Sequence, residues 1–354
     1  MRRNICLIAL LALALPGFAQ EQQPLREQIE VNAVLLDVIV TDPKGNQILG
    51  LTKDDFVVKE NGVVQEVETV DYFTNRQLLD ARESNAPFQV ERTNENRYFI
   101  VFFDKPDGGL LIDQLTHARN AARDFVDNRM KETDLVAIVG HDVRLKVYSD
   151  FTNDKAVLRK ALNESTRFGK GLTTAPAVDG PSILRNVDRK QMSDHTGTVY
   201  QALDVLAEAV RPVRARKNLI LFSPGIADIN EEIRNGMILD RSRHLDPALG
   251  SLNASNVTVY GVQLQRQSDQ AVNTTSAYHQ RLSEISSSTG GEYFQYSASF
   301  TPALEKVEEK NAGYYLLTYR SGKPRGEKGF QKVNVSVKSP ELRVTARSGY
   351  EFGS

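Results

Sequence analysis

The sequence predicts an α/β fold: a doubly wound, mostly parallel sheet inserted into a β-sandwich-like domain built from both chain ends. Three observations predict it. Continuous apolar runs such as Tyr98-Phe99-Ile100-Val101-Phe102-Phe103 suit strands buried on both faces, as in a parallel sheet covered by helices. Between residues 97 and 311 such runs alternate with stretches of helical periodicity, the pattern of strand–helix–strand units. Outside that range, residues 25–75 and 312–354 return to short strands separated by turn residues. Neither end has enough strands for a stable sandwich of its own, and two small sheets would leave edges open, so the ends are expected to pair with each other.

The chain opens on Arg2-Arg3, an apolar run at 5–15 and Pro16-Gly17-Phe18-Ala19-Gln20. A basic start, a short apolar core and small residues before a cut near Ala19 make residues 1–19 a secretory signal peptide. The run is far shorter than the about 20 residues of a spanning helix, and no later stretch is apolar enough to span. A secreted or periplasmic mature protein is expected. The single cysteine, Cys6, lies inside that segment, so the mature chain carries no disulfide and no thiolate ligand. A formal net charge of -1 gives no reason to expect nucleic acid as a partner.

Val31, Ala33, Leu35, Val38 and Val40 form an extended run that stops at Asp42-Pro43-Lys44-Gly45. Strands at 56–60 and 63–67 flank Asn61-Gly62, the strongest short-range hairpin signal. Residues 76–96 are polar and aperiodic and read as a linker. The strand at 98–103 leads to a helix at 111–130, then strands at 135–139 and 145–148 around a turn at Gly140-His141-Asp142. Asp154 opens a helix, and a loop over 164–195 follows, far longer than the usual connection. A helix at 199–210 precedes a strand at 218–222. A polar helical region at 230–252, a strand at 257–262, a helix at 278–287 and a short strand at 292–295 continue the alternation. A helix at 302–309 has Pro302 in its first turn, where proline is tolerated. Strands at 314–319, 333–337 and 342–346 close the chain.

Three segments carry a family resemblance. FFDKPDGG ends the first buried strand at Asp104, DHTGTVYQAL enters a helix, and NLILFSPG ends a later strand. In order and spacing they resemble the three site segments of a von Willebrand factor type A domain. STGGEYF, GYYLLTY and VTARSGY near the close, and VTDPKGNQILGLTKDDFVVKENG near the start, narrow the resemblance to the von Willebrand A-related proteins abundant in Acidobacteria. It covers essentially the whole mature chain.

The resemblance implies Mg²⁺ or Mn²⁺ at the C-terminal end of the sheet, held by a D-x-S-x-S loop with a threonine and an aspartate from two other loops. A hard cation wants octahedral oxygen ligands and leaves one position for a partner's carboxylate. This chain departs from the pattern. Asp104 matches the leading aspartate, but Pro106 and Gly108 stand at the two serines and Asp107 is an extra carboxylate. The threonine is Thr198 or Thr196, and Pro224 stands at the last aspartate, leaving Ser223 or Asp228 to compensate. The expected cation set is therefore a degenerate one: Asp104, Asp107, Thr198 and Ser223, with Thr196 and Asp228 as alternatives.

The implied function is an exported, adhesion-like protein-binding module working through the C-terminal face of the sheet. Asp104, Lys105, Asp107, Lys170 and Thr198 are its expected contacts. Arg167, Lys170, Arg185, Arg189 and Lys190 make the long loop basic, which suits an acidic partner. The alternatives are a structural scaffold of an envelope assembly and a hydrolase of unrecognised type. Against an enzyme, the chain has no G-x-S-x-G, H-E-x-x-H, Walker or dinucleotide signature, and its histidines (117, 141, 195, 244 and 279) show no paired ligand spacing. Ser193-Asp194-His195 are sequence neighbours, which rarely converge as a triad does.

Overall fold

The computed structural model describes residues 32–74, 90–92, 96–105, 112–167, 175–177, 180–213, 215–226, 244–264, 275–295, 299–321 and 329–352. Residues 1–19, expected to be a signal peptide, most of the stretch read as a linker, and Asp107, Lys170 and Asp228 lie outside the described residues. Counts of strands, helices and groups below refer to the described residues.

Strands β1 (Asn32–Thr41), β2 (Phe56–Glu60), β3 (Val63–Gln65) and β4 (Val67–Thr74) come first, and β5 (Val90–Arg92) follows. Asn61 and Gly62 both adopt positive φ, 47° and 86°, the geometry that a two-residue hairpin needs, and β2 pairs antiparallel with β3 across them. Two boundaries differ from the sequence expectation. The strand read at 63–67 breaks at Glu66, where the chain leaves the hairpin and enters a different sheet as β4. Within the stretch read as linker, β5 runs parallel to β4, with Tyr72 opposite Val90. Both were hidden because only Val67, Tyr72 and Thr74 of β4 are buried, too few to show a period of two.

The central region contains β6 (Arg97–Asp104), α1 (Ile112–Asp124), β7 (Asp134–His141), β8 (Leu145–Thr152), α2 (Lys155–Ser165), α3 (Arg189–Asp194), α4 (Val199–Val210), β9 (Lys217–Ser223), α5 (Leu245–Ala254), β10 (Val257–Gln263), α6 (Thr275–Ser288), β11 (Tyr293–Phe294) and α7 (Thr301–Lys310). The expected helix through Met130 is α1 followed by one wider π turn over Phe125–Arg129, which keeps Phe125 and Val126 in the core. The long loop contains α3, which the sequence reading did not anticipate. Three helices start on side-chain caps: the Asp154 carboxylate accepts from Ala156 N at 2.8 Å, and Asp188 and Thr198 open α3 and α4 with reciprocal caps to Gln191 and Gln201.

These strands form one six-stranded sheet in the order β11-β10-β9-β6-β7-β8, parallel except for the β7–β8 hairpin. The apolar run of β6 alternates between two cores. Tyr98, Ile100 and Phe102 pack with α4 and α5, whereas Phe99, Val101 and Phe103 pack with α1, α2 and α7. Burial on both faces is why the run carries no polar alternation.

Beyond α7 come β12 (Gly313–Ser321), β13 (Gly329–Val337), β14 (Arg343–Thr345) and β15 (Gly349–Phe352). All but β15, which pairs with β13, pair with strands from the other chain end. β12 lies between β1 and β4, and β13 pairs with β2, with Val335 opposite Val58. Leu36, Val58, Tyr315, Leu317, Tyr319 and Val333 belong to one buried cluster drawn from both of these sheets.

The sheets of the chain ends contact the N-terminal edge of the parallel sheet. Asn256, in the turn before β10, donates to Asp37 at 3.1 Å, and Arg347 donates to the carbonyls of Leu35 and Asn253. Ser348 donates to Ser288 O at 2.7 Å. Gly291, just beyond α6, must be glycine because a Cβ there would collide with the Val259 carbonyl oxygen.

Candidate functional site

The strand order places a topological switch point between β6 and β9. From β6 the chain crosses by α1 toward β7; from β9 it crosses by α5 toward β10 on the opposite face. The crevice between two such crossovers, at the carboxyl ends of the strands, is where doubly wound sheets bind ligands. Asp104 ends β6 and Ser223 ends β9, so both line it.

They are joined. Ser223 Oγ donates to Asp104 Oδ2 at 2.7 Å and accepts from Gly225 N at 3.1 Å. Asp104 is 6% exposed and Ser223 is fully buried. The other carboxylate oxygen, Oδ1, faces His141 Nδ1 at 3.6 Å, because the parallel register sets Asp104 opposite His141 at the end of β7. His141 Nε2 lies 2.9 Å from Thr196 O; a carbonyl oxygen only accepts, so this nitrogen is the donor. The sequence reading assigned His141 to a turn and gave it no role. Its place depends on strand register, which the sequence alone does not reveal.

The two candidate threonines are held differently. Thr196 is fully buried; its hydroxyl accepts from Leu145 N at 2.9 Å and donates to Met192 O. These two bonds join the end of α3 to the β7–β8 hairpin. Thr198 is half-buried, and its hydroxyl accepts from Gln201 N at 3.2 Å as the α4 cap.

Lys105, expected to meet a partner, is fully buried and unavailable to one. Its ammonium donates to Tyr148 OH at 2.7 Å and to Arg167 O at 3.2 Å, and stands 3.7 Å from Asp142. Lys146 reaches the same Asp142 oxygen at 2.6 Å. Burial pushes the Lys105 ammonium down to about 8, against the opposing charge of Asp142. Burial also drives the Tyr148 phenol above its usual range. For Asp142 burial acts upward, but the Lys146 hydrogen bond and the two ammonium charges hold its carboxyl below the usual range. Residues after a strand end have no fixed side in a sequence pattern, so the inward turn of Lys105 was not legible.

Sequence reasoning also missed Asp150, 5% exposed on β8. Its carboxylate accepts from Ser182 Oγ at 2.5 Å, Ile183 N at 2.8 Å, Ala177 N at 3.2 Å and its own neighbour Phe151 N at 2.9 Å. One buried carboxylate thus ties the long loop to the edge of the sheet. A carboxylate accepting several backbone N–H bonds contributes more than a neutral acceptor. Asp150→Ala is expected to destabilise this region by about 3 kcal/mol, because several buried donors lose their acceptor. Hydrogen exchange should accelerate at the amides of Ala177, Ile183 and Leu184 while those of β9 stay protected; unchanged exchange at these amides would refute the anchoring role.

Beside the crevice the tip of the β7–β8 hairpin is exposed. Val143, at that tip, is 58% exposed and Arg144 beside it is exposed; Arg185, Arg189 and Lys190 are exposed in and around α3. Asp194 and His195 close α3 on the exposed side.

Tested as a seat for a hard divalent cation, the described residues do not fit. Asp104 and Ser223 supply two oxygens already bonded to each other, the Thr196 hydroxyl is turned to Leu145 N and Met192 O, and the Thr198 hydroxyl caps α4. Among the described residues no group of three or more His, Cys, Asp or Glu side chains converges. Magnesium needs near-ideal octahedral oxygens, and this set falls short of them.

No family model matches the chain, and no curated protein matches it in sequence. Several solved structures are similar at a distance. BatB from Bacteroides thetaiotaomicron has 13% identity and a TM-score of 0.38, over 60% of this chain and 96% of that one. An aerotolerance-related membrane protein from Bacteroides fragilis has 13% identity and a TM-score of 0.38, over 61% and 98%. The pilus adhesin SpaC from Lactobacillus rhamnosus GG has 11% identity and a TM-score of 0.37, over 74% and 44%. Likenesses of this size assign neither an activity nor a partner. No helix among the described residues is long and apolar enough to cross a membrane.

Proposed function

We propose that this chain is an exported, non-enzymatic protein-binding module of the von Willebrand A kind, inserted into a β-sandwich formed by its two ends, and that it binds an acidic protein partner without a bound cation. The observation that carries the reading is the closed Asp104–Ser223 pair at the switch point, beside a rim that exposes Val143 and Arg144. Ser223 is fully buried and bonded to the likewise buried Asp104, so its oxygen is not presented to a substrate. The pair instead closes the crevice floor and fixes the ends of β6 and β9, while Arg144 supplies charge for steering and Val143 an apolar anchor for contact. Docking of the chain ends at the opposite edge leaves this rim as the working surface. Export rests on the signal peptide read at residues 1–19.

The test is site-specific photo-crosslinking of the full chain in its native envelope, with the reactive group at Val143 and, as a control, at Val157 of α2. Adduct to a defined protein from position 143, persisting in EDTA and falling at least severalfold with Arg144→Glu plus Lys190→Glu, supports the reading. Loss of the adduct in EDTA would replace it with metal-gated recognition. Indifference to the charge reversals would end the acidic-partner assignment.

A further inference from the structure

β6 and β9 carry the crevice at their C-terminal ends; their N-terminal ends line a second, unrelated cavity. It is a half-open cleft lined by Thr74 at the end of β4, Arg97 opening β6, Arg216 and Asn218 around the start of β9, and Asn311 after α7. Phe73 and Tyr314, stacked at 5.5 Å, form an aromatic wall. The space is about 50 Å³, counted as room for the centres of water-sized atoms, enough for about four or five non-hydrogen atoms.

Three polar side chains that line this space are incompletely satisfied, their orphaned atoms lying buried in its wall. Arg97 forms a two-pronged ion pair with Asp134 through Nε and Nη2, both at 2.7 Å, which neutralises its charge but leaves Nη1 buried with no partner. Its side chain is only 10% exposed. Asn218, 3% exposed, donates through Nδ2 to Tyr98 O at 3.3 Å. A carbonyl acceptor fixes the amide orientation, so the free end is the oxygen Oδ1, which has no partner. Arg216 donates to Tyr260 OH at 3.3 Å, its Nε is unpartnered, and no carboxylate among the described residues forms an ion pair with it. Asp37 lies across a neighbouring small cleft from it. The cavity therefore presents one uncompensated positive charge, a spare guanidinium donor and a spare amide acceptor. Each orphaned buried group costs free energy until something satisfies it.

We propose that this cavity is a binding site for a small α-hydroxy or α-amino carboxylate. The carboxylate takes the guanidinium donors of Arg216 and Arg97, and the hydroxyl or ammonium proton goes to Asn218 Oδ1. A ligand seated there touches the start of the parallel sheet and the ends of β4 and α7 together, joining the inserted region to the paired chain ends. The site is independent of the Asp104 crevice, which lies at the other end of the same strands.

Glycolate and acetate, differing by one hydroxyl, are the probes. Calorimetric titration of the full chain should show glycolate binding about tenfold or more tighter than acetate, because acetate leaves Asn218 Oδ1 unpaired. Arg216→Gln should weaken glycolate by about tenfold or more while the circular dichroism spectrum is retained. Equal affinity for the two anions, or an unchanged glycolate affinity in the folded variant, overturns the proposal. A crystal structure of the wild-type full chain in glycolate decides the matter if the variant does not fold: density for glycolate on Arg97 Nη1 and Asn218 Oδ1 supports it, and ordered waters alone at those atoms overturn it.

Discussion

Glu60→Ala is expected to cost about 4 kcal/mol of stability, because three buried hydroxyl groups lose their acceptor at once and each such loss costs about 1–3 kcal/mol. Glu60 ends β2 and is 5% exposed. Its Oε2 accepts from Tyr319 OH and from Tyr350 OH, each at 2.7 Å, and its Oε1 accepts from Ser321 Oγ at 3.0 Å. All three donors belong to strands of the opposite chain end, β12 and β15. Burial first, and the Glu60 hydrogen bond second, drive the Tyr319 phenol far above its ordinary range, so it remains a donor throughout the accessible pH range. The Tyr350 phenol moves in the same direction, again chiefly through burial. The carboxylate thus fastens the two ends of the chain through side chains as well as through the backbone ladders. Glu60→Gln keeps one acceptor oxygen and should lose about half as much. Urea unfolding of the full chain measures both. A loss below about 1 kcal/mol for Glu60→Ala would mean that water or a neighbouring group replaces the carboxylate without penalty.

The clamp shows where sequence reading stops. Glu60 and its partners lie more than 250 residues apart, and nothing in VVKENG marks this glutamate as buried while Lys59 beside it is exposed. What could be read were features with a local physical signature. The unbroken apolar run of β6 announced burial on both faces, Asn61-Gly62 announced a hairpin, and the 199–210 periodicity matches the bounds of α4. Asp104 and Ser223 could be placed because each is the first polar residue after an apolar strand, and strand ends of a parallel sheet converge. His141 could not, since its approach to Asp104 depends on register. Lys105 and Asp150 were missed for a related reason. Charged residues are ordinarily assigned to the surface, and their burial depends on partners contributed by distant segments: Tyr148 and Asp142 for one, the loop amides around Ile183 for the other. β15 and β5 are too short for any periodicity to register.

Lys217 offers a prediction in which the sign depends on pH. It opens β9 at 1% exposure, and its ammonium donates to Val213 O at 2.5 Å. Burial pushes it down to about 7, with Arg347 adding to the depression and Asp37 opposing it. In the unfolded chain the same group titrates near 10.5. Between those two values the unfolded state binds more protons than the folded one, so stability rises with pH across the window, by about 1.4 kcal/mol per unit. Below about 7 both states are protonated, and the folded protein carries the whole penalty of a buried charge, on the order of 5 kcal/mol. Lys105, held at about 8, adds a dependence of the same sign over the upper part of the window. Lys217→Met keeps most of the buried stem, forfeits one hydrogen bond worth about 1 kcal/mol, and removes the charge. The variant should therefore be more stable than the wild type at pH 7 by about 3 kcal/mol, with the difference shrinking toward zero by pH 9.5 as the unfolded chain's advantage in binding that proton fades. Urea titrations of both proteins at the two pH values give the comparison. A constant difference between them would show that Lys217 keeps its proton in the fold. A variant less stable at pH 7 would mean that the hydrogen bond to Val213 outweighs the cost of the buried charge at the start of β9.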